Sequence, residues 1–259
     1  MSTYAEFMKT ATDAALEAGA LLKAQYSQMS EIRYKGEINL VTETDLASQA
    51  LLHDRLSAAY PGHDFLAEEG LKTIRGAEFR WVFDPLDGTT NFAHKLPVFC
   101  ISIGLERRGE LVLGIVFNPM SGELFRAETG QGAFLNGTRL HVSAIPEIGR
   151  SLVATGFSYD IRETHCNIAQ HERVILRAQG VRRCGSAALD LCYVAAGRFD
   201  GFWELKLSPW DSAAGAVMVR EAGGRITDFL NCPVNIYHPE VCASNGLIHD
   251  ELLGLLNQT

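Results

Sequence analysis

The stretch WVFDPLDGTTNF, residues 81–92, contains the most informative break in the pattern of this sequence. Its first three residues are apolar and predict a buried strand, which we expect to stop at Asp84. Asp84 and Asp87 then place two like charges close together. One explanation is a turn, because Asp-Pro and Asp-Gly pairs are common in turns. The other is that both carboxylates converge on a cation, and this requires further carboxylates elsewhere in the chain.

Composition limits the class of protein. The chain has 259 residues, of which 47% are hydrophobic and 21% charged, with a mean hydropathy of +0.01, which predicts a globular protein of one large or two small α/β units. Six cysteines without a CxxC spacing favour reduced thiols. No signal peptide or membrane span is predicted, so we expect a cytoplasmic protein. The net charge of −8 disfavours direct binding to nucleic acid.

The periodicity of apolar residues predicts a mixed α/β protein. A helical face runs from Phe7 to Leu22, and a second helix begins near Thr44 and ends before Pro61. Apolar runs separated by glycine-containing turns between residues 98 and 140 predict an antiparallel meander, with a hairpin turn at 136–137. Later segments predict a strand, LVATGF, and three helices, IAQHERVILRAQG, AALDLCYVAAG and SAAGAVMVREAGG. We expect one unit, 1–259, with a division near residue 145 into subdomains 1–145 and 146–259.

Other acidic residues also follow apolar runs. Glu68 and Glu69 end a predicted strand in DFLAEEG, Asp211 precedes a predicted helix in SPWDSAAG, and Asp45 closes an apolar run in NLVTETD. Each has a local explanation: a solvated loop for the glutamates, a helix N-cap for Asp211 and a favourable helix-dipole position for Asp45. Taken together, they are oxygen donors of the kind that Mg²⁺ binds together with a substrate phosphate.

The residues after Asp84 also suit a phosphate. Pro85 disfavours helical geometry at Asp84, so the chain can fold back and turn the Leu86 carbonyl outward. Gly88 and Thr89 then stand at a predicted helix start, where backbone N–H groups can receive a phosphate. A carboxylate cluster beside an anion site requires cations between them.

These motifs resemble those of the inositol monophosphatase family, the Mg²⁺-dependent, lithium-sensitive sugar phosphatases. The resemblance covers nearly the whole chain and rests on AEEG at 67–70, WVFDPLDGTTNF at 81–92 and WDSAAG at 210–215, in the family's order. The following HKLPVFCISIGL resembles the inositol-phosphatase branch. The resemblance implies an α/β fold of the layered αβαβα sandwich type and a homodimer.

The resemblance also implies roles for individual residues. Two or three Mg²⁺ ions would be held by Glu68, Asp84, Asp87, Asp211 and the carbonyl of Leu86, while Thr89 and Asp45 would orient the attacking water together with Glu68. Glu69 would lie outside the ligand set. The implied substrate contacts are Leu86, Asp87, Gly88, Thr89, Arg182, Gly185, Ser186, Ala187, Glu204, Asp211 and Lys35.

The substrate implied by this resemblance is a small phosphorylated polyol, most closely myo-inositol monophosphate. Glu204 would accept hydrogen bonds from its hydroxyls beside a backbone wall formed by residues 185–187. The segment KLSP departs from the best-known animal members, which leaves the sugar open. Alternatives are histidinol phosphate, fructose 1,6-bisphosphate or NADP as substrate, or a regulatory binding role in a transcription complex.

Overall fold

The computed structural model describes residues 3–28 and 43–258. The helices are α1 (Ala5–Gln28), α2 (Glu43–Ala59), α3 (Thr89–Ala93), α4 (Ile161–Thr164), α5 (Ile168–Ile175), α6 (Ala187–Ala195), α7 (Pro209–Glu221) and α8 (His249–Leu256). The strands are β1 (Asp64–Ala67), β2 (Lys72–Thr73), β3 (Phe79–Asp87), β4 (Cys100–Arg107), β5 (Glu110–Asn118), β6 (Glu123–Glu128), β7 (Gly132–Leu135), β8 (Thr138–Arg139), β9 (Leu152–Thr155), β10 (Gly180–Arg182), β11 (Gly201–Leu205), β12 (Arg225–Thr227) and β13 (Glu240–Ser244).

The strands form two mixed sheets. The first has the order β2-β1-β3-β4-β5-β6-β7-β8 and is antiparallel except for the β1–β3 pair. The second has the order β10-β9-β11-β13-β12, in which β9 pairs parallel with both neighbours. The predicted antiparallel meander is therefore confirmed as β4 to β8. Asn136 and Gly137 form its last hairpin turn, both with positive φ.

Helices cover both sheets and fill the space between them. Helices α1 and α2 pack on one face of the first sheet, α6 and α7 lie between the sheets, and α5 and α8 cover the outer face of the second. This order of layers confirms the predicted αβαβα sandwich. The predicted division near residue 145 falls between the last strand of the first sheet and the first strand of the second, and it stays a prediction. Helices α6 and α7 contribute to a hydrophobic core that both sheets share.

Helix α7 approaches the first sheet unusually closely. Gly104 of β4 and Gly114 of β5 are paired directly opposite each other beneath it. A β-carbon at Gly114 would lie 2.4 Å from the carbonyl oxygen of Ala214, and one at Gly104 would lie 2.7 Å from the β-carbon of Ala213. Glycine on the strands and alanine on the helix therefore allow backbone to touch backbone.

Strand β3 differs from the prediction. It continues through Asp84 and Pro85 to Asp87 rather than stopping at Asp84. It pairs with β4 on both sides of an irregularity, with Asp84 opposite Ser102 and Asp87 opposite Cys100, so β3 carries one extra residue there. Such a bulge lets a strand absorb the missing N–H of proline. The prediction that the strand ends at Asp84 is therefore wrong, and the change of pattern at Asp84 marks a bulge within the strand.

The helices agree with the sequence patterns. The first two predicted helices, the three predicted after residue 151 and the two strands before Asp84 are all present, with boundaries shifted by a few residues. Within residues 3–28 and 43–258, each helix is too short or too polar to cross a membrane.

Candidate active site

A cavity of about 260 Å³ lies where loops from both sheets meet. Its walls come from the end of β1, the β3–α3 turn, the loop after β9, the start of α6 and the β11–α7 segment. It brings together most of the residues that the sequence singled out, namely Glu68, Asp84, Leu86, Asp87, Gly88, Thr89, Gly185, Ser186, Ala187, Glu204 and Asp211.

The bulge in β3 fixes the first two carboxylates. Asp84 is buried, and its Oδ1 accepts a hydrogen bond from the backbone N–H of Leu86 at 2.9 Å. Asp87 is held from the opposite side, because its Oδ2 accepts from Ser186 Oγ at 2.6 Å and from the Ala188 N–H at 2.8 Å. The start of α6 therefore orients Asp87, and the turn within β3 orients Asp84.

A second group of acids adjoins the first. One carboxylate oxygen from each of Asp45, Glu68 and Glu69 lies within 4.8 Å of the others. Thr89 connects this group to β3, since its Oγ1 donates to the Leu86 carbonyl at 3.0 Å and lies 3.5 Å from Asp45 Oδ2. Asp45 does not line the cavity, and the Thr89 hydroxyl lies between it and the Leu86 carbonyl.

The start of helix α7 contributes a further carboxylate to the cavity, that of Asp211. Its N-cap residue is Ser208, followed by Pro209 in the first turn, as is typical of helix starts. Asp211 Oδ2 accepts from the backbone N–H of Ser208 at 2.7 Å. Asp211 is therefore the third residue of a capping box and not the N-cap that the sequence suggested, and the same carboxylate also lines the cavity.

The electrostatics of these acids favour a cation. Burial, and then repulsion from Glu68, Asp87 and other neighbouring carboxylates, raises the pKa of Asp84 well above its usual value. Burial and the charge of Asp87 do the same to the pKa of Asp211. Burial raises the pKa of Asp87 as well, although the Ser186 hydrogen bond opposes this.

No ion pair formed among residues 3–28 and 43–258 involves Asp84, Asp87 or Asp211. Buried carboxylates without a cationic partner are costly unless a cation is bound. The donors are all hard oxygen atoms, so the residues fit a divalent cation such as Mg²⁺.

Gly88 shapes the turn that follows. Its φ is 95°, and a β-carbon there would lie 2.9 Å from the carbonyl oxygen of Val98. Only glycine fits both the conformation and the space. The turn directs the chain into α3, whose first N–H groups have no partner within the helix.

The opposite wall is formed by the segments around α6 and β11. Asn91 Nδ2 donates to the carbonyls of Val98 and Cys184, which ties α3 to the wall that contains Gly185. Glu204 faces the cavity, and burial together with the charges of Asp211 and Asp190 raises its pKa well above its usual value.

Among the described residues, two predicted ones do not line the cavity, namely Asp45 and Arg182. Arg182 is exposed at the end of β10, where its guanidinium donates to the Val181 carbonyl, and the neighbouring Arg183 lines the cavity instead. Lys35 lies outside the described residues.

Sequence reasoning missed several residues that line the cavity. They are Phe157 and Tyr159 after β9, Arg183, Lys206 and Asp190. Burial raises the pKa of Asp190 to about 8, and its Oδ1 has no hydrogen-bond partner within residues 3–28 and 43–258. The one available signal was TGFSYD, a glycine followed by two aromatic residues where the predicted strand LVATGF ends.

The chain matches a family model described as the inositol monophosphatase family over residues 3–259. It is 43% identical over 256 residues to an inositol-1-monophosphatase of Synechocystis sp., covering 98% of this chain and 89% of the relative. It is 42% identical over 228 residues to a protein of Escherichia coli K12 named Nus factor SuhB, covering 86% and 85% of the two chains. The solved structure of an inositol monophosphatase from Anabaena (Nostoc) sp. superposes with a TM-score of 0.90 at 42% identity, covering 98% of this chain and 96% of the other. With its carboxylate-lined cavity, the chain belongs to the inositol monophosphatase family and is a phosphoric monoester hydrolase.

Proposed function

We propose that this protein is a Mg²⁺-dependent phosphatase that hydrolyses myo-inositol monophosphate to inositol and phosphate. The observation that supports it best is the convergence of Asp84, Asp87 and Asp211, from two different elements, on a single cavity. A turn alone would not require the third carboxylate, which comes from α7. The family relatives named inositol-1-monophosphatase support the choice of substrate.

The ligand set follows from the same geometry. Two or three Mg²⁺ ions would be held by Glu68, Asp84, Asp87, Asp211 and the Leu86 carbonyl. Bound Mg²⁺ would neutralise phosphate charge, lower the pKa of its water and stabilise the leaving alkoxide. The backbone N–H groups of Gly88 and Thr89 would receive the phosphate oxygens.

Thr89 would accept the proton of the attacking water and pass its own hydroxyl proton on. Its Oγ1 lies 3.5 Å from Asp45 Oδ2, so a proton taken at Oγ1 can be balanced by transfer of the threonine proton to that carboxylate. Glu68, beside Asp45, would help to orient the water. This role requires the hydroxyl at position 89 and an acceptor at position 45.

No covalent phosphoenzyme is proposed. Ser186 Oγ is committed to donating to Asp87, and burial raises the pKa of the Cys100 thiol well above its usual range. Cys184 is equally unsuited, since burial raises its pKa to about 12. A thiol that stays protonated is a poor nucleophile, so Ser186, Cys100 and Cys184 need no part in the chemistry.

The test is phosphate release from a panel of substrates with Mg²⁺ and with EDTA. The panel contains myo-inositol 1-phosphate, histidinol phosphate, fructose 1,6-bisphosphate and NADP. We expect EDTA to abolish turnover, Mg²⁺ to restore it and the inositol ester to give the highest kcat/KM. Lithium inhibition is expected from family resemblance. Full activity in EDTA would overturn the metal-dependent mechanism, and a higher kcat/KM for another ester would change the substrate.

A second candidate is a regulatory role in a transcription complex, which the similarity to the protein named Nus factor SuhB favours. A pull-down of transcription-complex proteins with the Asp84→Asn variant separates the two roles, because a binding role survives the loss of turnover. The homodimer and the cytoplasmic location also stay predictions. Light scattering of the purified protein would test the first, and cell fractionation the second.

A further inference from the structure

Two aromatic side chains stand at the mouth of the cavity. Phe157 and Tyr159 follow β9 directly and both line the cavity. Phe157 packs on the ring of His171, with 5.7 Å between ring centroids. Tyr159 is 46% exposed, so the aromatic surface it presents is still available to a ligand. Neither residue has a part in holding metal or phosphate as proposed above.

Contacts within its own loop hold the backbone at Tyr159 in place. Tyr159 shares the lining of the cavity with Thr90 of α3. The next residue, Asp160, accepts from Ser158 Oγ at 2.6 Å and pairs with Lys206. Burial raises the pKa of Tyr159 to about 12, so its hydroxyl stays neutral at physiological pH. The loop that carries the ring is therefore held in place before any ligand binds.

The same loop also places an acceptor beside the rings. Gly156 comes just before Phe157, and the Glu204 carboxylate lies against it. A flat apolar surface next to a carboxylate suits a molecule that has C–H groups on its face and hydroxyls at its edge. A cyclic polyol has this distribution, whereas a short acyclic alcohol has no ring face to present.

From this arrangement we propose that Tyr159, with Phe157 beside it, is a specificity-determining residue that packs against the ring face of a cyclic polyol phosphate. It would make the enzyme prefer a ring-bearing phosphate monoester over an acyclic one. The inference rests on the proposed phosphatase function and adds the basis for choosing among its substrates.

The experiment compares kcat and KM for myo-inositol 1-phosphate and for glycerol 2-phosphate, with Mg²⁺, in wild type and four variants. Tyr159→Ala removes the ring, and Tyr159→Phe removes only the hydroxyl. Tyr237→Ala and Tyr237→Phe are matched controls, because Tyr237 is 47% exposed, has a hydrogen-bonded hydroxyl and does not line the cavity. Melting temperatures check that each variant is folded, and Tyr159→Ser replaces the alanine variant if that one is not.

We expect Tyr159→Ala to raise KM for the inositol ester about tenfold with little change in kcat, which corresponds to ~1.4 kcal/mol. The KM of Tyr159→Ala for glycerol 2-phosphate should change by less than about twofold. Tyr159→Phe and both controls should match wild type on both esters. Equal effects on the two esters, or no effect on either, would overturn the inference while leaving the phosphatase function intact. A wild type that hydrolyses neither ester would overturn the proposed function itself.

Discussion

The carboxylate of Glu204 occupies space that only glycine at position 156 leaves free. A β-carbon at Gly156 would lie 2.2 Å from each oxygen of that carboxylate. Glu204 lies in β11, and Gly156 directly follows β9, the strand that pairs with β11. The identity of residue 156 therefore decides where the proposed hydroxyl acceptor can point.

Gly156→Ala should weaken catalysis on inositol phosphate as Glu204→Gln does. Each should lower kcat/KM for myo-inositol 1-phosphate by a factor that corresponds to roughly 1–3 kcal/mol of lost transition-state stabilisation. This is the range for a charge-assisted hydrogen bond. The decrease in kcat/KM for glycerol 2-phosphate should be much smaller. Gly149→Ala is the control, because a β-carbon there meets only the Arg177 carbonyl at 3.7 Å. Wild-type kinetics for Gly156→Ala would show that Glu204 does not contact the substrate.

Asp84→Asn should separate metal binding from folding. Asp84 is preferable to Asp87 here, because the Ser186 and Ala188 hydrogen bonds to Asp87 would complicate any change in stability. In EDTA the variant should melt at the same temperature as wild type or higher, since one of several repelling carboxylates is gone. Phosphate release should fall by orders of magnitude.

Adding Mg²⁺ should raise the melting temperature of wild type, because a ligand that binds only the folded state stabilises it by about 2.7 kcal/mol at 100 times its dissociation constant. Asp84→Asn should gain less. Asp54→Asn, at a side chain 83% exposed on α2, is the control and should gain as much as wild type. Equal gains for all three proteins, with activity undiminished, would mean that Asp84 serves only the turn.

Thr89→Val should abolish activity while the protein stays folded. Valine keeps the shape of threonine but removes the hydroxyl that donates to the Leu86 carbonyl and faces Asp45. Thr89→Ser restores the hydroxyl and should recover most of kcat. Phosphate release measures the effect, and circular dichroism checks the fold. Comparable activity in the serine and valine variants would exclude Thr89 from proton handling.

His249 should make the stability of the protein fall in mild acid. It is fully buried between Ser244 and Thr227, each 2.9 Å from one ring nitrogen. Because the Thr227 hydroxyl donates to the Asp228 carbonyl, it accepts from Nε2–H, which leaves Nδ1 to accept from Ser244. Burial, assisted by the charge of Arg225, lowers the pKa of His249 from 6.5 to about 4.

The sign follows from proton binding. Between pH 6.5 and about 4 the unfolded chain binds a proton at His249 that the folded protein does not, so stability is lost as the pH falls. The loss from this residue should be about 2 kcal/mol at pH 5. Urea denaturation at pH 7 and pH 5 measures it. His249→Gln should lose that much less on acidification, whereas His165→Gln, at an exposed position, should behave as wild type. Identical acid losses in all three would contradict the assignment.

Most of the carboxylates that line the cavity could be predicted because they lie in short, nearly contiguous motifs. Asp84, Leu86 and Asp87 belong to one turn, and their spacing survives any small error in strand boundaries. The bulge that orients them could not be predicted, because it depends on pairing with Ser102 and Cys100 of β4. Register between strands is set by the whole sheet rather than by local residues.

The substrate side was harder to predict for a related reason. Arg182 and Arg183 are adjacent in sequence, yet only the second lines the cavity. Successive side chains of an extended chain point in opposite directions, so a shift of one residue exchanges them. Tyr159 reaches the cavity from the irregular segment after β9, and no periodic pattern in the sequence marks the position of a loop side chain.

The contact between α7 and the paired glycines of β4 and β5 has a consequence for the tolerance of the enzyme to mutation. Asp211 lies in the first turn of α7, close in sequence to Ala213 and Ala214, whose approach to the sheet leaves no space for a β-carbon at either glycine. Gly114 does not line the cavity. Even one added methyl group there would clash with the backbone of Ala214 and displace the start of α7 from the sheet. A variant at Gly114 could therefore keep every proposed ligand and still lose turnover through misalignment alone.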